Sequence, residues 1–321
     1  MLDENRPIGV LLLNLGGPDS PAAVRPFLYN LFSDRMIIRL GPAFLQKPIA
    51  RMISAARASK AINAYGLIGG GSPLNELSLA QARALESALG GGFRTFVGMR
   101  YWHPFIREAL EQARSAGINK LIVLSLYPHY SLATTGSSLH KLTEDLKSFD
   151  MQTGVIEPWF RHPLYIEALA ENIRKGMASF ERDNKEIFVL FSAHGLPVKI
   201  AGMGDPYVEH VKGTIEAVRE KVEMEYALSY QSRTGPVKWI GPYTDEMLKE
   251  LARNGVKNVL MVPVSFVSDH IETLYEIDIL YKRLADGLGI NLRRTGALNT
   301  HPKLIGAFAD LVLGRKKELG W

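Results

Sequence analysis

The chain has 321 residues, of which 46% are hydrophobic and 22% charged, with a formal net charge of +5 and no cysteine. That length suits one large domain or two of ordinary size, with a core that needs no covalent staple. The lack of thiols excludes disulfides, thiolate metal sites and a cysteine-ligated iron–sulfur cluster.

The predicted elements alternate along the chain. A strand over 8–13 feeds a helix over 21–33, and a helix over 74–89 precedes a strand over 95–98. Then follow a helix at 104–117, a strand at 121–126, a helix at 136–147, a strand at 154–156 and a helix at 163–182. The second half repeats the plan: strand 187–191, helix 206–224, strand 228–230, helix 243–254, strand 259–264 and helices 270–286 and 301–317. Short runs rich in Val, Ile and Leu suit parallel strands buried on both faces. Their alternation with amphipathic segments predicts an α/β fold of two Rossmann-like domains with parallel sheets. The seams are expected near 150 and 295, giving an N-terminal domain over 1–150, completed by a C-terminal helix at about 296–321, and a second domain over 151–295.

Several features exclude other classes. No apolar stretch reaches the roughly 18–20 residues of a spanning helix, and residues 1–7 lack the basic-then-apolar plan of a secretory leader. A cytoplasmic location is expected. The cations are spread along the chain, densest at Arg315-Lys316-Lys317, so a solvated basic face is expected and nucleic-acid binding is not. Gly69-Gly70-Gly71-Ser72-Pro73 follows no strand with dinucleotide spacing and precedes no phosphate-loop Lys. Gly16-Gly17 does follow a strand but gives way to Pro18, Asp19 and Ser20, a helix start. No nucleotide is expected.

Two segments carry chemistry. In the first, a strand runs into Ser192-Ala193-His194-Gly195-Leu196-Pro197, with Gly204-Asp205-Pro206-Tyr207 after it. Ligands of open α/β sheets sit at the carboxyl ends of strands, so His194 stands where a base or ligand is useful. In the second, a buried strand ends at Ser268-Asp269-His270-Ile271-Glu272-Thr273-Leu274-Tyr275-Glu276-Ile277-Asp278. Asp269, Glu272 and Glu276 share one face of an α-helix, a row of like charges that is stable only if solvated or matched by cations. A wet acidic surface and a track for a hydrated divalent cation are the two readings of that row.

These segments resemble the ferrochelatase family. The resemblance extends through Leu13-Asn14-Leu15-Gly16-Gly17-Pro18, Ile68-Gly69-Gly70-Gly71-Ser72-Pro73, Arg100-Tyr101-Trp102-His103-Pro104, Tyr127-Pro128-His129-Tyr130-Ser131, Thr134-Thr135-Gly136-Ser137-Ser138, Gln231-Ser232-Arg233-Thr234-Gly235-Pro236 and Trp239-Ile240-Gly241-Pro242, so that it spans about residues 8–310. It implies the type II chelatase fold with a porphyrin cleft between two domains. The expected activity is insertion of Fe2+ into protoporphyrin IX to give heme, the terminal step of heme biosynthesis, with no cofactor beyond the substrate iron. By resemblance, His194 and Glu272 are the catalytic and metal-contacting pair, on opposite sides of the ring. Asp269, His270, Glu276 and Asp278 are the metal or proton path behind Glu272. Leu15, Arg57, Tyr65, Ser72, Arg100, Tyr101, Tyr127, Trp159 and Trp239 are expected around the porphyrin. Apolar Pro42, Ala43, Phe44 and Leu45 match a lipid-facing lip, which implies weak peripheral attachment to the inner face of the cell membrane.

The sequence departs from the family in two places. Leu132 stands where the metazoan branch has a cluster-ligating Cys, and Leu280 stands where many relatives carry a further Glu. Leu15 and Thr134-Thr135-Gly136-Ser137-Ser138 match the protoporphyrin-using branch, and the coproporphyrin-using branch is the alternative. A non-catalytic porphyrin carrier would keep the apolar cleft without needing both His194 and Glu272. A cobalt chelatase for sirohydrochlorin would call for more cations around its more acidic substrate.

Overall fold

The computed structural model describes residues 6–180, 186–235 and 237–321. Residues 1–5 of the N-terminal segment, Pro236 of the Gln231–Pro236 motif and positions 181 and 182 of the predicted helix at 163–182 lie outside the described residues. The chain forms two compact units. One holds the residues up to Trp159 together with Leu304–Trp321, and the other holds Phe160–Lys303.

In the first unit, β1 (Ile8–Asn14) leads to α1 (Pro21–Ser33), a 3-10 turn at Ala43–Leu45, α2 (Gln46–Gly66) and α3 (Leu74–Leu89). Then come β2 (Phe93–Met99), α4 (Ile106–Ser115), β3 (Lys120–Ser125), a π-helical turn at Leu132–Gly136, α5 (Ser137–Leu146) and β4 (Gln152–Val155). The strands pair in parallel in the order β2-β1-β3-β4. All seven residues of β1 are buried, as expected for a central strand covered on both faces. Leu11 and Leu13 pack with Leu121 and Val123 of β3 under Ile106, Leu110 and Leu142 of the covering helices.

The second unit repeats this arrangement. Its elements are α6 (Pro163–Ala178), β5 (Ile187–His194), α7 (Val198–Ala201), α8 (Tyr207–Arg219), β6 (Glu225–Gln231), α9 (Thr244–Arg253) and β7 (Asn258–Pro263). A π-helix over Glu272–Tyr281, α10 (Lys282–Gly287) and β8 (Asn291–Arg294) complete it, and the parallel order is β6-β5-β7-β8. In both sheets the chain leaves its first strand for one neighbour and then crosses to the other side. The switch point therefore lies between β1 and β3 in one unit and between β5 and β7 in the other. The last helix, α11 (Pro302–Glu318), carries the chain back into the first unit.

Three of the differences from the sequence reading have a clear physical cause. Helix α2 was not anticipated, because its buried positions include Gln46, Ala50 and Ser54, and such small or polar residues leave no apolar period. Its six alanines supply the helix propensity instead. Strand β8 was also missed. It is an edge strand with one apolar residue, Leu292, in four. The predicted helix at 270–286 is found as ten residues of π-helix followed by a short α-helix. A π-turn spans five residues instead of four, so the α-helical face that would align Asp269, Glu272 and Glu276 does not exist.

Candidate active site

His194 is the last residue of β5 and Glu272 the first of the π-helix, so both stand at the switch point of the second sheet. Local geometry sets His194. Its backbone N–H donates to Ser265 Oγ at 2.9 Å, and Tyr207 Oη donates to its carbonyl at 3.1 Å. The next residue must be small. The Gly195 N–H donates to the Gln231 carbonyl at 2.8 Å, and a Cβ there would lie 2.8 Å from that same oxygen.

Two imidazoles face one carboxylate. The Nδ1–H of His194 donates to the Gly195 carbonyl at 2.5 Å, and that of His270 donates to the Ser268 carbonyl at 3.0 Å. A carbonyl only accepts, so each ring presents Nε2 on its free side. The His194 Nε2 lies 3.4 Å from Glu272 Oε1, too close for a ring to lie between them, so the pair is in direct contact here and not set on opposite sides of a ring; the His270 Nε2 lies 3.5 Å from Oε2. The Phe266 ring meets both imidazoles edge-on, with centroids 6.3 and 4.5 Å away, and Trp239 meets His194 at 6.2 Å. Glu272 Oε2 is buried without a hydrogen-bond donor, an acceptor left open to a proton or a cation.

The electrostatics follow from this crowding. Burial opposes charge on His194, but the Glu272 carboxylate outweighs it and raises the imidazole to about 9. Burial likewise opposes charge on Glu272, yet His194 and His270 hold it far below the usual carboxylate range. Glu276 goes the other way. Burial and the neighbouring Glu272 charge push it up to about 7, against hydrogen bonds from Ser232 and Gln231. One cluster thus favours an imidazolium at His194, an ionised carboxylate at Glu272 and a carboxyl group balanced near neutrality at Glu276. Such separated proton affinities mark acid–base sites.

Asp269 and Asp278, expected on the same path, face elsewhere. Asp278 is held by both its oxygens to Arg294 of β8, Nε–Oδ1 at 2.7 Å and Nη2–Oδ2 at 2.8 Å. Arg294 Nη1 reaches Asp269 Oδ1 at 3.0 Å. Asn299 and Thr273 also donate to Asp269, each at 3.0 Å. The structure therefore brings together His194, His270, Glu272 and Glu276, and it gathers Asp269 and Asp278 around Arg294. Sequence reasoning missed Arg294 because β8 carries so little strand signal. It also passed over Gln231 and Ser232, although both stand in a matched motif. Among the described residues, no three His, Asp or Glu side chains converge closely enough to enclose an ion.

Within the second unit, Trp239 is half-buried, and its indole N–H donates to the Thr234 carbonyl at 2.9 Å. The other expected porphyrin contacts belong to the first unit. Leu15 and Tyr127 follow β1 and β3 at its switch point and are half-buried. Arg57 is exposed on α2, 5.4 Å from the Phe32 ring centroid. Tyr65 and Ser72 are buried, with the Ser72 N–H donating to the Pro18 carbonyl at 2.7 Å. Trp159 is buried, donates to the Ser125 carbonyl at 2.9 Å and meets Phe308 edge-on. Arg100 and Tyr101 converge on buried Asp34. Arg100 Nη2 and Tyr101 Oη reach the same carboxylate oxygen at 2.7 and 2.6 Å, and Ser137 Oγ joins them at 2.5 Å. Tyr101 is 1% exposed, so its ring packs inside the unit.

The ferrochelatase family description matches residues 7–316. The chain belongs to the ferrochelatase family. Ferrochelatase of Geotalea uraniireducens is 53% identical over 94% of this chain and 96% of its own length. Ferrochelatase of Geobacter metallireducens is 54% identical over 94% and 96%. Among solved structures, SirB from Bacillus subtilis with Fe3+ aligns over 97% of both chains with a TM-score of 0.60 at 13% identity. At that identity the likeness speaks for the fold alone, and this member of the ferrochelatase family shares the type II chelatase architecture.

Proposed function

We propose that this protein inserts ferrous iron into protoporphyrin IX, yielding heme and two protons. The observation that carries the reading is the contact of His194 Nε2 with Glu272 Oε1 at the switch point of a parallel sheet, in a chain of this family. Metallation exchanges two pyrrole protons for one ion, so it needs a base, a ligand that gives the metal up and a means of bending a flat ring. Glu272 suits the second need: it is ionised, and one oxygen lacks a donor. An incomplete donor set also suits an ion in transit, since an enclosing set would retain it.

His194 takes the role of proton acceptor. It is an imidazolium while Glu272 faces it, so it must lose that proton first. A divalent cation at Glu272 would consume the negative charge that sustains the imidazolium, and its own charge would repel the proton. Arrival of the metal then prepares the base. His270 and Glu276 stand behind Glu272 as the path, Glu276 being the group able to exchange a proton near neutrality. Asp269 and Asp278, sharing the single cation of Arg294, steady the helix that carries Glu272 and Glu276. The aromatic and apolar residues expected around the ring would hold it part-way to its bent form with binding energy from remote parts. Protoporphyrin is favoured over coproporphyrin by Leu15 and by the segment 134–138.

Weak attachment to an anionic membrane face belongs to the same reading. Phe44 and Met52 are 77% and 66% exposed, and residues 35–75 hold six Lys or Arg and no Asp or Glu. No helix among the described residues is long and apolar enough to cross a membrane. The deciding experiment is anaerobic incubation of the purified protein with ferrous iron and each of the two porphyrins, followed by absorption spectra. The expected result is heme from protoporphyrin without added nucleotide. Absence of product above the protein-free rate, with folded protein, refutes the activity.

A further inference from the structure

Glu276 does not hold its place alone. Two donors converge on one of its oxygens: Ser232 Oγ lies 2.6 Å and Gln231 Nε2 3.0 Å from Glu276 Oε2. The same Gln231 nitrogen lies 2.9 Å from the backbone carbonyl of Glu272, so a single amide ties together the helix residues bearing both carboxylates. Gln231 is 1% exposed, and its carbonyl oxygen accepts from Ser192 Oγ at 2.6 Å. Ser192 lies on β5, two residues before His194. A chain of hydrogen bonds therefore runs from the strand that presents the imidazole to the helix that presents the carboxylates.

The backbone adds a second, independent observation. Ser232 has φ 65°, a left-handed conformation that strains a residue with a Cβ and that Gly adopts freely. A strained serine whose hydroxyl ends on a half-buried carboxylate points to the hydroxyl as what the position requires.

We propose that Gln231 and Ser232 are positioning residues for iron delivery, a seat that holds Glu276 in register with Glu272. This rests on the reading of Glu276 as an iron-side carboxylate. Neither residue touches the reacting atoms, and they act through the carboxylate they hold.

Ser232→Gly separates this role from a purely structural one. It relieves the left-handed strain and removes the hydroxyl. A structural serine would be replaced at no kinetic cost, and the thermal midpoint would stay level or rise. A positioning serine leaves the same midpoint but costs iron handling. Loss of one hydrogen bond to a charged group corresponds to about a tenfold effect or more, so kcat/KM for ferrous iron should fall about tenfold. The KM for protoporphyrin should stay within about twofold, because the ring is bound by other residues. Titration with Co2+ in the absence of porphyrin supplies a readout independent of turnover, and Ser232→Gly should weaken Co2+ binding by a similar factor.

Unchanged iron kinetics and unchanged Co2+ affinity in Ser232→Gly overturn the proposal, and so does an equal rise in both Michaelis constants. Gln231→Leu serves as the second variant, with the same split expected. Glu276→Gln distinguishes failure of the underlying reading: if it leaves iron kinetics and Co2+ binding intact, Glu276 is not on the iron side. Wild-type protein that makes no heme refutes the activity, while the Co2+ comparison still decides the seat.

Discussion

Glu272→Gln tests the electrostatic heart of the site. It keeps the shape of the side chain and removes the charge that sustains the His194 imidazolium. In the wild type, burial would lower the affinity of His194 for a proton, and the carboxylate 3.4 Å away raises it from 6.5 to about 9. Without the carboxylate only burial remains, together with the weaker influences of Gly195 and Glu276, so His194 should titrate far lower, well within the range of an ordinary imidazole or below it. The assay is NMR titration of carbon-labelled histidine, with the His194 signal identified by its absence in His194→Ala.

The same substitution has a signature in stability. A rise from 6.5 to about 9 would correspond to about 3 kcal/mol in a dry interior. The His194 side chain is 38% exposed, so solvent screening reduces this to on the order of 1 kcal/mol. Its sign follows from linkage. The folded group binds its proton more tightly than the unfolded one, so the stabilisation is complete below about pH 6.5 and is lost as pH rises through about 9. The stability gap between wild type and Glu272→Gln should therefore narrow across that window. A wild-type His194 that titrates at or below 6.5, or a gap that widens towards pH 9, refutes the ion pair as the organising contact.

Two other expectations concern the surroundings of the site. Arg294→Met leaves Asp269 and Asp278 without their shared cation and should cost about 2–4 kcal/mol in urea unfolding, less in the double variant Arg294→Met/Asp278→Asn; equal losses in the two would mean that Arg294 contributes packing and not charge. Vesicles rich in anionic lipid should retain the protein at low salt and release it at high salt, and Phe44→Ser with Met52→Ser should weaken retention; binding that resists salt, or none at low salt, contradicts the membrane reading.

Much of the site was legible because a parallel strand announces its own carboxyl end. A continuous apolar run that stops at a polar residue places that residue near the carboxyl end of the strand: Ile187–Phe191 stops at Ser192, two residues before His194, and Val259–Val264 stops at Ser265, just before the acidic segment. His194 and the segment after β7 were therefore placed by pattern alone, and the family resemblance added their roles. What pattern could not supply was the sorting of the carboxylates. Asp269, Glu272, Glu276 and Asp278 look equivalent in a sequence read with α-helical spacing. The π-geometry and the arginine on a four-residue edge strand separate them.

The sequence by itself determined the α/β class, the parallel sheets and the positions of His194 and Glu272, because buried strands and signature loops are local patterns of residue type. Tertiary structure alone decided which charges meet. Arg294 finds Asp278 across 16 residues of sequence, Gln231 finds Glu276 across 45 and Asp34 gathers Arg100, Tyr101 and Ser137 across 66 to 103. Such pairs leave no period in the chain. They exist because a sheet edge and a helix turn bring distant side chains within hydrogen-bond reach in a medium where an unmatched charge is costly.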